Sequence, residues 1–456
     1  MSTKRKIALV GIYLSVFTNS LMFTVVFPIA SKMIMFFGLV DNRTETGYWV
    51  GFLGGSIMLG RFISSYFWGI LCDKYGTKRI MFLGIITTSL FAVLFGMATN
   101  FYLALLFRFL QGLLSPITIT TRTLIGELYP GKEQASAMSC FIIVGSFGNI
   151  SGNIMGGFFE DPKTSSIELF NKFPFLLPNL MIAVSGIISL VICVFSLDEV
   201  HKKENLIELD EPRNLFGIIR DPLVKQVLIM YSLCSCNGTA FGELVILWVW
   251  AKKENGGFEF TPHEIGIMSA LTSVLYVFYI RSLYKVFVDR YGLIKCIIYS
   301  LKLNIPVLLL FPLISLARYE NILKWVYLIV GTLVYYTIDF MSITSSLIII
   351  NNSVNSNERG KLNGISLAFG NLARSISPPV YGTTFAATAK GGYPYPFNFA
   401  FSFILLSFFV WIASFYASRL SLSLGNPKEA KINEEKKKQE ESEMISLAVV
   451  EETELE

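Results

Sequence analysis

Long apolar runs separated by short polar stretches recur from one end of the chain to the other. A helix needs about 20 mostly apolar residues to cross the hydrocarbon core of a bilayer. Twelve such runs are predicted, over 7–36, 47–72, 80–98, 101–128, 134–159, 176–197, 224–251, 263–287, 295–315, 324–350, 360–388 and 397–420. They are too long and unalternating for strands, and helices satisfy their own backbone in lipid. The longest internal polar stretch, 198–223, divides the runs six and six. The expected organisation is an N-terminal half at 1–197, a central loop at 198–223, a C-terminal half at 224–420 and a charged tail at 421–456. The fold class expected is all-α integral membrane, with twelve transmembrane helices in two pseudo-symmetric six-helix halves.

Composition agrees. Of 456 residues, 53% are hydrophobic and 16% charged, against about 25% charged in a soluble chain. The mean hydropathy is +0.56. The net charge of +5 is small and gathers near helix ends, which reads as topology and not as nucleic-acid binding. The first run has no small-residue cleavage site and reads as an uncleaved span.

Basic residues set the expected orientation. Loops with Lys4, Arg5, Lys6, Lys74, Lys78, Arg79, Lys132, Lys202, Lys203, Arg213, Arg220, Arg290, Lys295, Arg359 and Lys361 alternate with loops carrying Arg43, Lys163, Lys172, Lys252, Lys253, Arg318, Lys324 and Lys390. The first set is richer by roughly two to one, which puts both termini and the central loop in the cytosol. Which membrane holds the chain is not readable from these residues.

The halves resemble each other. Gly69-x-x-x-Asp73-Lys74-x-Gly76-x-Lys78-Arg79 is echoed by Lys285-x-x-x-Asp289-Arg290-x-Gly292-x-x-Lys295, 216 residues later. Gly148, Gly152, Gly156 and Gly157 in span five have a counterpart in span eleven around Pro378. Two parallel halves are the architecture of a rocking transporter. The glycines permit close helix crossing and bending. Asp73 and the cations beside it, at a helix start, can form a state-dependent ion-pair lock.

Polar stripes on otherwise apolar helices mark a candidate path. Span four carries Arg108, Gln111, Ser115, Thr118 and Arg122 at helical spacing. Span seven carries Ser232, Cys236, Thr239 and Glu243, and span ten Tyr335, Asp339, Ser342 and Ser346. A charge inside a membrane is costly and marks function by default. Gln111, Ser115, Thr118, Arg122, Thr239 and Tyr335 are expected to line a central cavity. Arg108 holds a fixed positive field, because guanidinium does not deprotonate. A carboxylate near it can exchange a proton with conformation. Glu243 is favoured as that carrier, near Arg108 and Arg122, with Asp339 the alternative.

Six scattered cysteines and two histidines show no zinc-ligand or disulfide spacing. Cys234 and Cys236 point about 200° apart on a helix. No cofactor and no resident metal are expected. No HExxH, GxSxG or P-loop pattern supports an enzyme or a self-contained ATP-driven pump. A non-transporting sensor is disfavoured by the absence of a large soluble domain.

The loop pattern at Gly69, Asp73, Lys74, Gly76, Lys78 and Arg79 resembles the signature of the major facilitator superfamily, as does Arg108-x-x-Gln111-Gly112 in span four. The span-five glycines resemble its antiporter motif, with Asn153 where that motif has proline. Longer blocks extend the resemblance to the zinc-induced-facilitator-like group of the drug:proton antiporter branch. Among them are GYWVGFLGGSIMLGRFISSYFWGILCDKYGTKR, AFGELVILWVWAKKENGGFEFTPHEIG and NNSVNSNERGKLNGISLAFGNLARSISPPVYG. Arg374 matches that group's eleventh-span cation. The resemblance implies proton-coupled export or vacuolar loading of a metal ion, a metal chelator or an organic compound, and a monomer is expected. The cysteine-bearing N-terminal motif of plant members and a histidine-rich central loop are missing here. A multidrug-type exporter is the second reading, with aromatic surface from Tyr231, Trp248, Trp250, Tyr335 and Tyr336.

Overall fold

The structure, a computed structural model, describes residues 3–129, 132–159, 168–197, 215–354, 358–421 and 424. The central loop at 198–214 and the charged tail from 425 onward lie outside the described residues.

The helices follow the apolar runs closely. Spans two and three are Gly47–Tyr75 and Thr77–Gly96, and spans five to eight are Lys132–Phe158, Leu176–Ser196, Pro222–Trp250 and Pro262–Tyr291. Spans ten to twelve are Leu323–Asn352, Arg359–Lys390 and Phe401–Ser418. Local chemistry sets their starts. The Asp221 side chain accepts from the Leu223 amide ahead of Pro222, and Thr261 and Glu264 form a reciprocal capping box. Gly76 and Gly292, equivalent positions in the two halves, have φ of 91° and 75°. Each ends one helix and begins the next through a left-handed turn that glycine makes without strain.

Three spans are divided, which the apolar pattern does not reveal. The first is Thr3–Thr24 followed by Val26–Phe36, the fourth is Phe101–Leu113 followed by Ile117–Leu128, and the ninth is Leu293–Leu310 followed by the 3-10 helix Phe311–Ala317. Pro28, Pro116 and Pro312 stand at these breaks. Each lacks an amide hydrogen and crowds the carbonyl four residues before it. The polar stripe expected along span four is therefore cut at Ser115–Pro116.

Among the described residues, eight spans are long and apolar enough to cross a membrane by length and composition. The other four long helices, spans two, five, eight and eleven, are 27 to 32 residues long but more polar. They are the helices that join the halves, span two against span eleven and span five against span eight. Facing protein or cavity, they need less apolar surface than lipid-facing neighbours.

The two ends of these contacts differ. A Cβ on Gly47 would stand 2.7 Å from the Gly382 carbonyl oxygen, and Gly51 and Gly55 are pressed against the Pro378 and Ser375 carbonyls. At the opposite end of the same two helices, Gly69 and Gly364 face open space. The halves thus close at the end bearing residues 43–47 and 382–390 and part at the end bearing the 73–79 loop. Lys390 Nζ lies 2.8 Å from Glu45 Oε1 at the closed end, and Asn255 Nδ2 donates to Thr44 Oγ1 across it at 2.8 Å.

Candidate functional site: the central cavity

Two adjoining cavities lie between the halves. They share Phe23, Asn149, Gly238, Thr239, Asp339 and Ile343. One, of about 340 Å³, has an aromatic wall that includes Phe27, Tyr276, Tyr336 and Phe340. The other, of about 390 Å³, takes in Asn19, Arg61, Ser235 and Arg374.

Polar groups in the second cavity are held in place. Asn19 Oδ1 accepts from Arg61 Nη2 at 2.9 Å and from Ser115 Oγ at 3.4 Å. Across the cavity Asp339 Oδ1 accepts from Asn237 Nδ2 at 3.0 Å. Asp339 Oδ2 occupies the space beside Gly238, where a Cβ would come within 2.7 Å. Among the described residues, no carboxylate forms an ion pair with Arg61 or Arg374.

Arg108 is hydrogen-bonded within the N-terminal half. Its Nη1 donates to the Met22 carbonyl and to Gln111 Oε1, both at 2.8 Å, and its Nη2 donates to the Phe23 carbonyl at 2.9 Å. Those carbonyls lie at the break in span one, where Pro28 interrupts the helical ladder. The guanidinium also covers the Phe95 ring, with Cζ 5.4 Å from its centroid. Arg108 is 1% exposed, so its charge is spent on the N-terminal half itself.

Glu243 is paired with neither of the expected cations. It lines neither cavity and is 2% exposed. Among the described residues, neither carboxyl oxygen has a hydrogen-bond partner and no cation forms an ion pair with it. Instead the carboxyl group packs on Gly54 of span two, across the boundary between the halves. The expectation that Glu243 sits with Arg108 and Arg122 in the cavity is corrected on this point.

The sequence model of the Major Facilitator Superfamily matches residues 12–378. The chain belongs to that superfamily. It is an integral multi-pass membrane transporter and not an enzyme. Among relatives, it is 27% identical over 406 residues to the protein zinc induced facilitator 1 of Arabidopsis thaliana, covering 82% of this chain and 83% of that one. Over 189 residues, 40% of this chain and 31% of the other, it is 31% identical to the multidrug transporter mfsB of Aspergillus fumigatus. Its fold matches a bacterial homologue of the human lysosomal transporter Spinster in an inward-facing, occupied conformation. The TM-score is 0.71 at 17% identity, over 93% of this chain and 99% of that one. The xylose transporter XylE of E. coli, partially occluded and inward open, matches with TM-score 0.67 at 13% identity over 92% and 98%.

Within this major facilitator fold the residues singled out from sequence separate into groups. Thr239 lines both cavities. Ser115 and Thr118 contact Asn19 behind the cavity wall, Thr118 accepting from Asn19 Nδ2 at 3.5 Å. Gln111 is buried against Arg108, and Tyr335 is buried, donating to the Asn237 carbonyl at 3.1 Å. Neither reaches the cavity. Arg122 is exposed beyond the break in span four, with Cζ 5.5 Å from the Phe141 centroid. Of the five aromatics, only Tyr336 lines a cavity; Trp248 donates to the Gly256 carbonyl and Trp250 lies under Arg43.

The loop-motif residues sit at the open end. Lys74 and Arg79 are exposed, as are Asp289 and Arg290 in the second copy. Lys78 Nζ donates to the Leu197 carbonyl, tying the loop to the end of span six. The side chain of Asp73 lies outside what the structure describes. The span-five glycines serve close crossing: Gly148, Gly152 and Gly156 abut span one, and Gly157 meets Gly266 of span eight. The helix itself runs unbroken from Lys132 to Phe158.

Sequence reasoning did not single out Arg61. A signal for it existed, since a lone cation inside a predicted span marks function by default.

Proposed function

We propose that this superfamily member is a monomeric proton-coupled antiporter, exchanging protons for a small solute by alternating access of its two halves. The solute class is a metal ion, a metal chelator or an organic compound, in line with the names of its zinc-facilitator and multidrug relatives. On the orientation given by the basic loops, both termini are cytosolic and the cavities open toward the cytosol.

The observation that carries the proton coupling is Glu243 wedged on Gly54. Ionised and unpartnered, a carboxylate buried in such an interface costs several kcal/mol or more. Closing the outer end is therefore coupled to a proton on Glu243, and parting spans two and seven lets water reach it. Ligand and proton then bias one equilibrium between two conformations. Asp339, facing both cavities, is the alternative carrier.

The test uses purified protein in liposomes with an imposed pH gradient, screened against zinc, potassium, chelators and drugs. Glu243→Gln is expected to abolish uphill accumulation while substrate exchange at equal pH survives. Unchanged, pH-dependent accumulation by the variant would make Glu243 structural and move the assignment to Asp339.

A second reading, a multidrug-type exporter of amphipathic compounds, is favoured by the aromatic wall at Phe23, Phe27, Tyr336 and Phe340.

A further inference from the structure

The two cavities differ in charge as well as in lining. Among the described residues, Asp339 is the one charged residue lining the aromatic cavity, and it stands at the boundary the cavities share. The second cavity adds two guanidinium groups, Arg61 from span two and Arg374 from span eleven. They come from opposite halves and are close enough for their charges to act on one another. Their hydrogen bonds go to neutral acceptors, Asn19 Oδ1 for Arg61 and Ser235 Oγ for Arg374, the latter long at 3.4 Å. Guanidinium remains charged at all physiological pH and presents a planar fork of donors matched to carboxylate or phosphate oxygens. Two such forks face one space with Asp339 as its single lining carboxylate, and among the described residues no ion pair joins them, so net positive charge is left to be neutralised.

From this we infer that the cargo is an amphipathic organic anion. Its carboxylate or phosphate lies between Arg61 and Arg374, and its apolar body lies against Phe23, Phe27 and Tyr336 in the adjoining cavity. The inference rests on the transport reading above and narrows its solute class. It disfavours a bare metal ion. Among the described residues no three His, Cys, Asp or Glu side chains are grouped to hold one, and the two arginines would repel it. A metal bound within an anionic organic carrier remains compatible. Because the arginines belong to different halves, an anion bridging them also draws the halves together around itself, which is the differential binding that alternating access requires.

Binding can be read without transport. The purified full chain in detergent is melted in the presence of charge-opposed probes that share one ring system: 2-naphthoate, 2-naphthyl phosphate and 2-naphthylmethylammonium. Citrate and zinc chloride serve as an anion without an apolar body and a metal alone. Stabilisation by naphthoate or naphthyl phosphate is expected, with no stabilisation by the ammonium or by zinc and a weaker effect of citrate. The two naphthyl anions distinguish carboxylate from phosphate recognition. Arg61→Gln and Arg374→Gln should each weaken anion binding at least tenfold, while Arg→Lys at either position loses less. Asp339→Asn removes a repulsive charge and should tighten anion binding several-fold, a gain that misfolding cannot imitate. Stabilisation by the ammonium or zinc in place of the anions, no stabilisation by any anion, or weaker anion binding in Asp339→Asn would each overturn the inference. Loss of proton coupling is read separately in liposomes: anion binding with pH-independent transport would defeat the antiport reading and leave this one standing.

Discussion

Glu243 and Gly54 meet across the boundary between the two halves, where a Cβ on Gly54 would stand 2.8 Å from Glu243 Oε2. The contact joins a titratable group on span seven to a helix of the other half. Its consequence is steric as well as electrostatic. Gly54→Ala places a methyl group where the carboxyl group lies, so the Glu243 side chain must turn out of the contact or the two helices must part. The variant is expected to fold, to populate the conformation with the outer end parted, and to lower transport several-fold. Accessibility of a cysteine placed at Ala386, buried at the closed end and labelled from the outer side, checks this; unchanged labelling would show that the contact does not govern closure.

Arg108 supplies donors to carbonyls at the break in span one, and hydrogen bonds from charged groups are worth about 1.5–3 kcal/mol each. Arg108→Ala should therefore reduce stability by on the order of 3 kcal/mol, seen as a lower melting temperature in detergent. Arg108→Lys should recover only part of it, since one ammonium cannot reproduce the fork that spans Met22 and Phe23. A destabilised variant whose transport per folded molecule keeps its pH dependence is the expected outcome. A stable variant with an altered pH profile would instead restore the field-setting role expected from sequence.

The closed end carries an ion pair between halves, Lys390 with Glu45. The hydrogen bond from Lys390 to Glu45, followed by their charge attraction, raises the Lys390 pKa, so the lysine is charged throughout the physiological range. Because the pair is exposed, its loss should matter little to stability. Crosslinking Glu45→Cys to Lys390→Cys, with native cysteines removed, should arrest transport and its reduction should restore it. Full transport by the crosslinked protein would mean that these ends never part.

Asp73→Asn in the loop motif is expected to slow transport without loss of folded protein, because it weakens the closure of the open end and changes the populations of the two states. The measurement is initial rate against abundance in the membrane. Equal rates at equal abundance would remove Asp73 from any locking role.

Orientation is tested with single cysteines at Ser2 and in the tail beyond 425. An impermeant thiol reagent applied to intact cells should label neither. Labelling of both would invert the topology and place the open cavities on the far side.

Much of this protein is written in one dimension. Twelve spans, two halves and the repeated Gly76 and Gly292 turns follow from run length, from the polar gap at 198–223 and from a motif repeated 216 residues on. These are local properties: lipid demands long apolar helices, and a left-handed turn demands glycine. The cytosolic assignment of the termini remains a matter of the basic loops alone. What sequence could not set is which polar residue faces which neighbour. Helical spacing puts Arg108, Gln111 and Arg122 on one stripe, but Pro116 breaks it. The pairing partner of Arg108 is the backbone at the break in span one, and backbone carbonyls leave no mark in composition. Glu243 and Thr239 share a stripe, yet one is sealed against Gly54 and the other lines the cavity. Arg61 and Arg374 lie more than 300 residues apart in the chain and acquire a common meaning only when spans two and eleven cross. The packing of one half on the other decides such juxtapositions, because it alone determines which polar groups are buried, which are hydrated and which charges share a cavity.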